Sequence, residues 1–159
     1  MAKNVISKKE NYSIILLMLL MFFLSVPCYG QHDNEVHYLS ETDETIQLSV
    51  LVLDVKEKYA NAEACADAVY ALIFNGINGS KRRYLPYVND GKNSYDQHCA
   101  YFHELFDCGG FWTYIIASSI MEKGKTQDKK KFFVVNVNVN IKALRASLIE
   151  HNVIRRFGV

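Results

Sequence analysis

Valines alternate with asparagines from Val135 to Asn140, and this pattern constrains the fold more than any other segment does. A period of two places the valines on one face of a β-strand and the asparagines on the other. Such a strand has one buried and one water-facing side, so it must pair with neighbouring strands. We expect the asparagines to face solvent; the alternative is that their amides face a ligand.

The nearest partner for this strand is the segment of residues 111–121, which precedes it across a turn at residues 124–128. Aromatic and β-branched residues are frequent in this segment and favour a strand. Trp112, Ile116 and Ile120 also fit helical spacing, so a helix is the alternative. Pairing with the alternating strand in an antiparallel hairpin favours the strand.

One strand and two helices are predicted before this hairpin. Alternation predicts a strand over residues 45–55 that becomes buried on both sides toward its end. The first helix is expected to be capped by Asn61 and to end near Gly76. The second helix follows a capping box that begins at Ser94, and it ends at Gly109.

A last helix is predicted after the alternating strand. Asn140 suits its N-cap, and Asn152 suits the left-handed residue that closes it. The resulting order is β-α-α-β-β-α. We therefore expect a two-layer α+β domain over residues 45–159, with a small, mainly antiparallel sheet and helices on one face.

Residues 1–30 have the pattern of a secretory signal peptide. Lysines precede the apolar run of residues 14–24, and Gly30 ends the segment. This run is shorter than the roughly 20 residues of a membrane span. We therefore expect an exported protein of the periplasm or outer envelope that begins near Gln31 and keeps no transmembrane helix. A lipid anchor at Cys28 is the less favoured alternative, since Pro precedes it.

The balance of charge argues against a nucleic-acid partner. The chain has 18 basic and 17 acidic residues, so no general affinity for polyanions is implied. Residues 31–44 are acidic and without periodicity, and we expect a flexible leader there. Basic groups occur at residues 81–83, 129–131 and 155–156. We interpret them as solvated loops or helix ends; an anion-binding face would require that they meet in space.

Residues 77–93 form a long predicted loop, and loops of this length are often functional. Its basic triplet lies beside two tyrosines, which either pack on the core or form an aromatic platform for a sugar or peptide. The candidate surface for an envelope protein or a glycan consists of Lys81, Arg82, Arg83, Tyr84, Tyr87 and Trp112.

Three cysteines remain after removal of the signal, which suits one disulfide and one thiol, or three buried thiols. A disulfide between Cys65 and Cys99 would cross-link two helices and stabilise the fold by about 2–4 kcal/mol. Cys99 shares a predicted helix face with Phe102 and Phe106, so we expect it to be buried.

Cys99 and His103 are the strongest candidates for chemistry, because residues one helical turn apart share a face. A Cys-His metal pair or a thiolate activated by imidazole would be the result. However, the spacing matches no zinc signature, and the sequence has no hydrolase elbow or phosphate loop. We expect no metal, no cofactor and no enzymatic activity.

Part of the chain resembles uncharacterised exported envelope proteins of Gram-negative bacteria, which are distantly similar to the N-terminal domain of the flagellar assembly protein T. The similar residues are the alanine-rich helix of residues 62–69, its Phe74-Asn75-Gly76 end, and residues 133–148. The resemblance implies a small α+β module without an established activity. It transfers no functional residue.

These observations favour a non-enzymatic binding or assembly module of the periplasm or cell envelope. The first alternative is a thiol- or metal-dependent enzyme that uses Cys99 and His103. The second is a secreted structural subunit that pairs through the edges of its sheet. The sequence does not specify an oligomeric state.

The first prediction concerns processing. The protein recovered from its native host is expected to have an intact mass that begins at Gln31, because the signal peptide is removed on export. A mass that includes residues 1–30, or one that begins at a lipidated Cys28, would contradict this prediction.

Overall fold

The structure, a computed structural model, describes residues 34–79 and 86–155. Four strands form one antiparallel sheet in the order β1-β2-β4-β3. They are β1 (Glu35–Glu41), β2 (Thr45–Leu53), β3 (Ile115–Lys125) and β4 (Lys131–Asn140). The predicted α+β class and the antiparallel hairpin of β3 and β4 are confirmed.

Within the described residues, four α-helices accompany the sheet. They are α1 (Glu57–Tyr70), α2 (Gly91–Gln97), α3 (Cys99–Phe102) and α4 (Ile141–Glu150). Short π-helical turns follow α1 and α3, at Ala71–Asn75 and His103–Asp107. No helix in the two described ranges is long and apolar enough to cross a membrane.

The core lies between the helices and the two central strands. On β2 every second residue is fully buried, and its partner on β4 is buried on the same face: Ile46 pairs with Val139, and Leu48 pairs with Val137. Small residues on α1 cover these side chains, since Ala64 and Ala68 are fully buried as well. A helix with small residues can approach a sheet closely, which explains the alanine-rich pattern.

The N-terminal strand β1 was not predicted. Residues 31–44 were expected to be a flexible leader, whereas Glu35–Glu41 pairs with β2 along an edge of the sheet. Only Val36 and Tyr38 of this strand pack against the core. Two apolar residues make an alternating pattern that is too short to predict a strand, because the residues around them are charged or polar.

Helix α1 begins at Glu57, so the prediction that Asn61 is its N-cap is wrong. Asn61 lies inside the helix, one turn after its start. The predicted end is confirmed: the π-helical turn stops at Gly76, where φ is 72°. Such a positive φ favours glycine.

The second predicted helix is interrupted. It begins at Gly91, before the expected cap at Ser94, and it breaks at His98, where φ is −118° and ψ is 31°. Phe102 is fully buried after this break and contacts the ring of Phe74 at 5.1 Å between centroids. The interruption therefore lets a second short helix place Phe102 in the core.

The ambiguous segment of residues 111–121 contains two kinds of structure. A 3₁₀ turn, Gly110–Tyr114, precedes β3, so the strand prediction is confirmed from Ile115 onward. The register of β3 shifts between Ile115 and Ala117, and again between Ile120 and Glu122. An extra residue at each bulge disturbs the alternation and explains why the period was hard to assign.

Both predicted caps of the last helix are confirmed. The Asn140 side chain accepts a hydrogen bond from the Ala143 N–H at 2.9 Å. Asn152 has a φ of 58°, and the Val153 N–H donates to the Leu148 carbonyl at 2.9 Å. This pattern is a Schellman motif.

The second prediction tests the N-cap. Replacing Asn140 by Ala is expected to lower the free energy of unfolding by about 1 kcal/mol, because the Ala143 N–H loses its acceptor. Asn136→Ala is the matched control: it changes the same residue type on the same strand and face without removing a cap. It should change stability by less than about 0.5 kcal/mol. Equal urea unfolding midpoints for the two variants would contradict the prediction.

Candidate functional site

The predicted partner surface is only partly described. Lys81, Arg82, Arg83 and Tyr84 lie outside the described residues. Tyr87 is half-buried against the core, and its N–H donates to the Leu72 carbonyl at 3.3 Å. Trp112 is 46% exposed and lies in the 3₁₀ turn before β3. The structure thus places these two aromatic residues on separate elements, with Tyr87 on the core and Trp112 toward solvent.

One face of the sheet is opposite the buried core, and we call it the open face. Every side chain on this face of β2 and β4 is partly or fully exposed. Its residues alternate with the buried ones, as the asparagine pattern predicted. The two ends of the open face differ in chemistry.

Amides and hydroxyls occupy the end of the open face near the β1–β2 turn. Cross-strand rows join His37, Ser49, Asn136 and Ser119, and join Ser40, Gln47 and Asn138. We call this region the polar half of the open face. It consists of His37, Ser40, Thr45, Gln47, Ser49, Ser119, Asn136 and Asn138.

The side-chain amides of the polar half differ in their hydrogen bonding. The Gln47 side-chain carbonyl accepts from the Ser40 hydroxyl at 3.0 Å. The Asn138 side-chain carbonyl is shielded from solvent and accepts no hydrogen bond from the described residues. An amide both donates and accepts, so this face can match sugar hydroxyls or an extended peptide.

Apolar side chains occupy the other end of the open face. Leu53 pairs with Phe132 across β2 and β4, and Leu51 pairs with Val134. Met121 lies at a bulge of β3 and is 63% exposed. We call these five residues the apolar half of the open face. This end of β2 was predicted to be buried on both sides, but Leu53 is 43% exposed, so that prediction is wrong.

The predicted disulfide is not formed, since Cys65, Cys99 and Cys108 are all free thiols. Cys65 is fully buried on α1, and its side chain hydrogen-bonds with Ser118 of β3. Burial raises the pKa of Cys65, and this hydrogen bond partly opposes the increase. Cys65 therefore faces the sheet.

Cys99 was expected to be buried, but it is exposed. The break at His98 separates it from the preceding helix and makes it the first residue of α3. Phe102 takes the buried position of this short helix instead. Because Cys65 faces the sheet and Cys99 faces solvent, their side chains lack the close approach that a disulfide requires.

The second chemical candidate, His103, is held by a carboxylate. Its Nδ1 lies 2.6 Å from Asp107 Oδ2, and both residues are partly exposed. An imidazole fixed in this way can act as a base toward a thiol. Within the described ranges, however, no hydrogen bond joins His103 to Cys99, and no three side chains form a metal-binding group.

No family model, curated protein or solved structure matches this chain. The resemblance to exported envelope proteins therefore stays a prediction.

The third prediction concerns thiol reactivity. In the native, unreduced protein Cys99 and Cys108 should alkylate rapidly, whereas Cys65 should react only after unfolding, because burial hides it and raises its pKa. Intact mass at successive times measures the three reactions. The Cys99→Ser, Cys108→Ser double variant is the control and should show no rapid reaction. Rapid labelling of Cys65, or a Cys65–Cys99 link in the unreduced protein, would contradict the prediction.

Proposed function

We propose that this chain is an exported, non-enzymatic binding or assembly module of the periplasm or outer envelope. The polar half of the open face is its contact surface. The observation that supports this proposal is the one-sided sheet: alternate residues of β2 and β4 are buried against the helices, while the amide-bearing residues between them are partly or fully exposed. A sheet with one accessible face offers a broad surface to a partner.

The chemistry of this surface suits an envelope protein or a glycan. Neighbouring strands lie about 4.8 Å apart, and alternate residues on one strand lie roughly 6.8 Å apart. Gln47, Asn136 and Asn138 therefore form a regular array of amide groups. Such an array can bind a partner that carries hydroxyl or amide groups at repeated intervals.

Two predicted residue groups could extend this contact. Trp112 is accessible and immediately precedes β3, the strand that carries Ser119. Arg82 and Tyr84 lie outside the described residues, so only the sequence supports their place in the contact surface. Their contribution requires separate variants.

A thiol enzyme is the second candidate, and one observation favours it. An exposed thiol, Cys99, precedes by one turn an imidazole that Asp107 holds in place. If His103 activates this thiol, His103→Ala should slow the alkylation of Cys99 well beyond about twofold at neutral pH. Under our proposal the rate stays within that limit.

Pairing of sheet edges is less favoured by the structure. The outer strand β3 carries two bulges and two lysines, both of which hinder the addition of another strand. A monomer at high concentration would agree with this interpretation.

The fourth prediction tests the contact surface. A photo-crosslinking residue at Ser119 should capture a partner in the native host, and Gln47→Ala, Asn136→Ala and Asn138→Ala together should abolish the capture by removing three amides. The matched control removes three amides outside the sheet, at Asn78, Asn89 and Gln97, which are exposed. Control variants should retain full capture.

Unfolding in urea verifies that the two triple variants are similarly stable. Equal capture by both variants would refute the proposed surface. Arg82→Ala with Tyr84→Ala, tested in the same way, decides whether the loop contributes: unchanged capture would remove it from the surface.

A further inference from the structure

Lysines gather at the end of the sheet where β3 turns into β4. Residues 53–59 and 121–132 meet there, because Leu53 pairs with Phe132 and the Lys123 ammonium contacts the Glu57 carboxylate at 2.7 Å. These two segments contain seven lysines and four carboxylates, a formal charge of +3, and Glu35 of β1, which lies opposite Leu51, lowers the charge of this end to +2. We call this region the lysine end. Its lysines are Lys56, Lys58, Lys123, Lys125, Lys129, Lys130 and Lys131.

Most of these ammonium groups have no carboxylate partner. Among the described residues, Lys123 is the only one of the seven in an ion pair, and Lys58 lies over the ring of Tyr59 at 4.5 Å. Lys125 and Lys131 are directly opposite each other on β3 and β4. Like charges in this position destabilise a sheet, so the stability of the fold does not explain them.

The lysine end also exposes apolar side chains. Leu53 and Met121 of the apolar half are 43% and 63% exposed, and Tyr59 at the start of α1 is 53% exposed. A soluble polyanion would be bound by the lysines alone. Apolar groups among lysines instead match the boundary of an anionic bilayer, where headgroups carry charge and acyl chains lie just below.

The opposite end of the sheet is acidic. The β1–β2 turn carries Glu41, Asp43 and Glu44, and the Glu44 carboxylate pairs with the Lys142 ammonium. The nine-residue strand β2 separates the two ends by roughly 27 Å. That distance exceeds the Debye length of about 8 Å at physiological salt. When an anionic surface contacts the lysine end, salt therefore screens its repulsion of the acidic turn.

We propose that the lysine end docks on an anionic lipid surface. The lysines contact lipid phosphates, and Leu53, Met121 and Tyr59 enter the headgroup boundary. The two surfaces meet where the Ser119 hydroxyl donates to Met121 Sδ at 3.6 Å, but no residue belongs to both, so this inference and the proposed function are tested by different variants.

The fifth prediction tests the docking with vesicles. The exported, processed protein should cosediment with phosphatidylcholine vesicles that contain roughly one third phosphatidylglycerol, and not with pure phosphatidylcholine. Replacing Lys125, Lys129 and Lys130 by Gln should weaken partitioning on the order of 100-fold, because each lysine near such a surface contributes about fivefold. The matched control removes the same charge from other elements, through Lys92→Gln, Arg145→Gln and Arg155→Gln, and should change partitioning less than about threefold.

A second pair of variants separates a membrane from a soluble polyanion. Leu53→Gln with Met121→Gln should weaken vesicle binding about tenfold while leaving binding to soluble polyphosphate unchanged. Leu39→Gln with Ile116→Gln is the control, since these side chains are similarly exposed but lie outside the lysine end. All variants carry the same N-terminus, so any contribution from it cancels.

Three results would overturn the proposal: no binding to the anionic vesicles, equal binding by the lysine variant and its charge control, or full vesicle binding by the Leu53 and Met121 variant. The last result, together with tight binding to polyphosphate, would identify a polyanion site instead.

Discussion

The pairing of β2 with β4 is the constraint on which the rest of the structure depends. Nine residue pairs align the two strands without a shift of register, from Thr45 with Asn140 to Leu53 with Phe132. A slip of one residue would move Val135, Val137 and Val139 from the core to the open face. The buried residues of this pair determine the face on which α1 packs. The edge strands β1 and β3 then pair with two central strands whose buried and exposed faces are already set by their register. The open face follows from the same register.

The part of the chain between β2 and β3 is held by aromatic packing. Phe102 contacts the rings of Phe74, Tyr95, Tyr101 and Phe106, which come from four different elements. Short helices and π-helical turns replace the single long helix that a regular period would produce, because the chain must bring these rings together within a few residues. The helix is therefore irregular in this segment because the irregular backbone allows the Phe102 side chain to be buried. The same change in helical phase moves Cys99 out to solvent.

Sequence reasoning succeeded where a period was long or a cap was chemically specific. The alternation in β4 predicted both the strand and its accessible asparagine face, and Asn140 and Asn152 predicted the two ends of α4. It failed where tertiary contacts decide. Nothing in the residues 35–41 indicates that β2 offers them an edge, and helical spacing alone assigned Cys99 to a buried face that the break at His98 removes. The contrast between the halves of the open face was also missed, because it depends on which residues of β2, β3 and β4 become neighbours.

The two halves of the open face have different consequences for binding although they lie on the same strands. Residues of the polar half require partners with directed hydrogen bonds, since amides gain little from contact with a non-specific surface. Lysines and exposed apolar groups make weaker demands on geometry and suit a fluid surface such as a bilayer. If the lysine end binds an anionic membrane, β2 and β4 extend away from the bilayer. The polar half then lies farther from the membrane along the same strands, and the acidic β1–β2 turn lies farthest from it. Docking at one end would therefore leave the hydrogen-bonding surface accessible to a second partner, because the separation along the strands, rather than a second domain, keeps the two contacts apart.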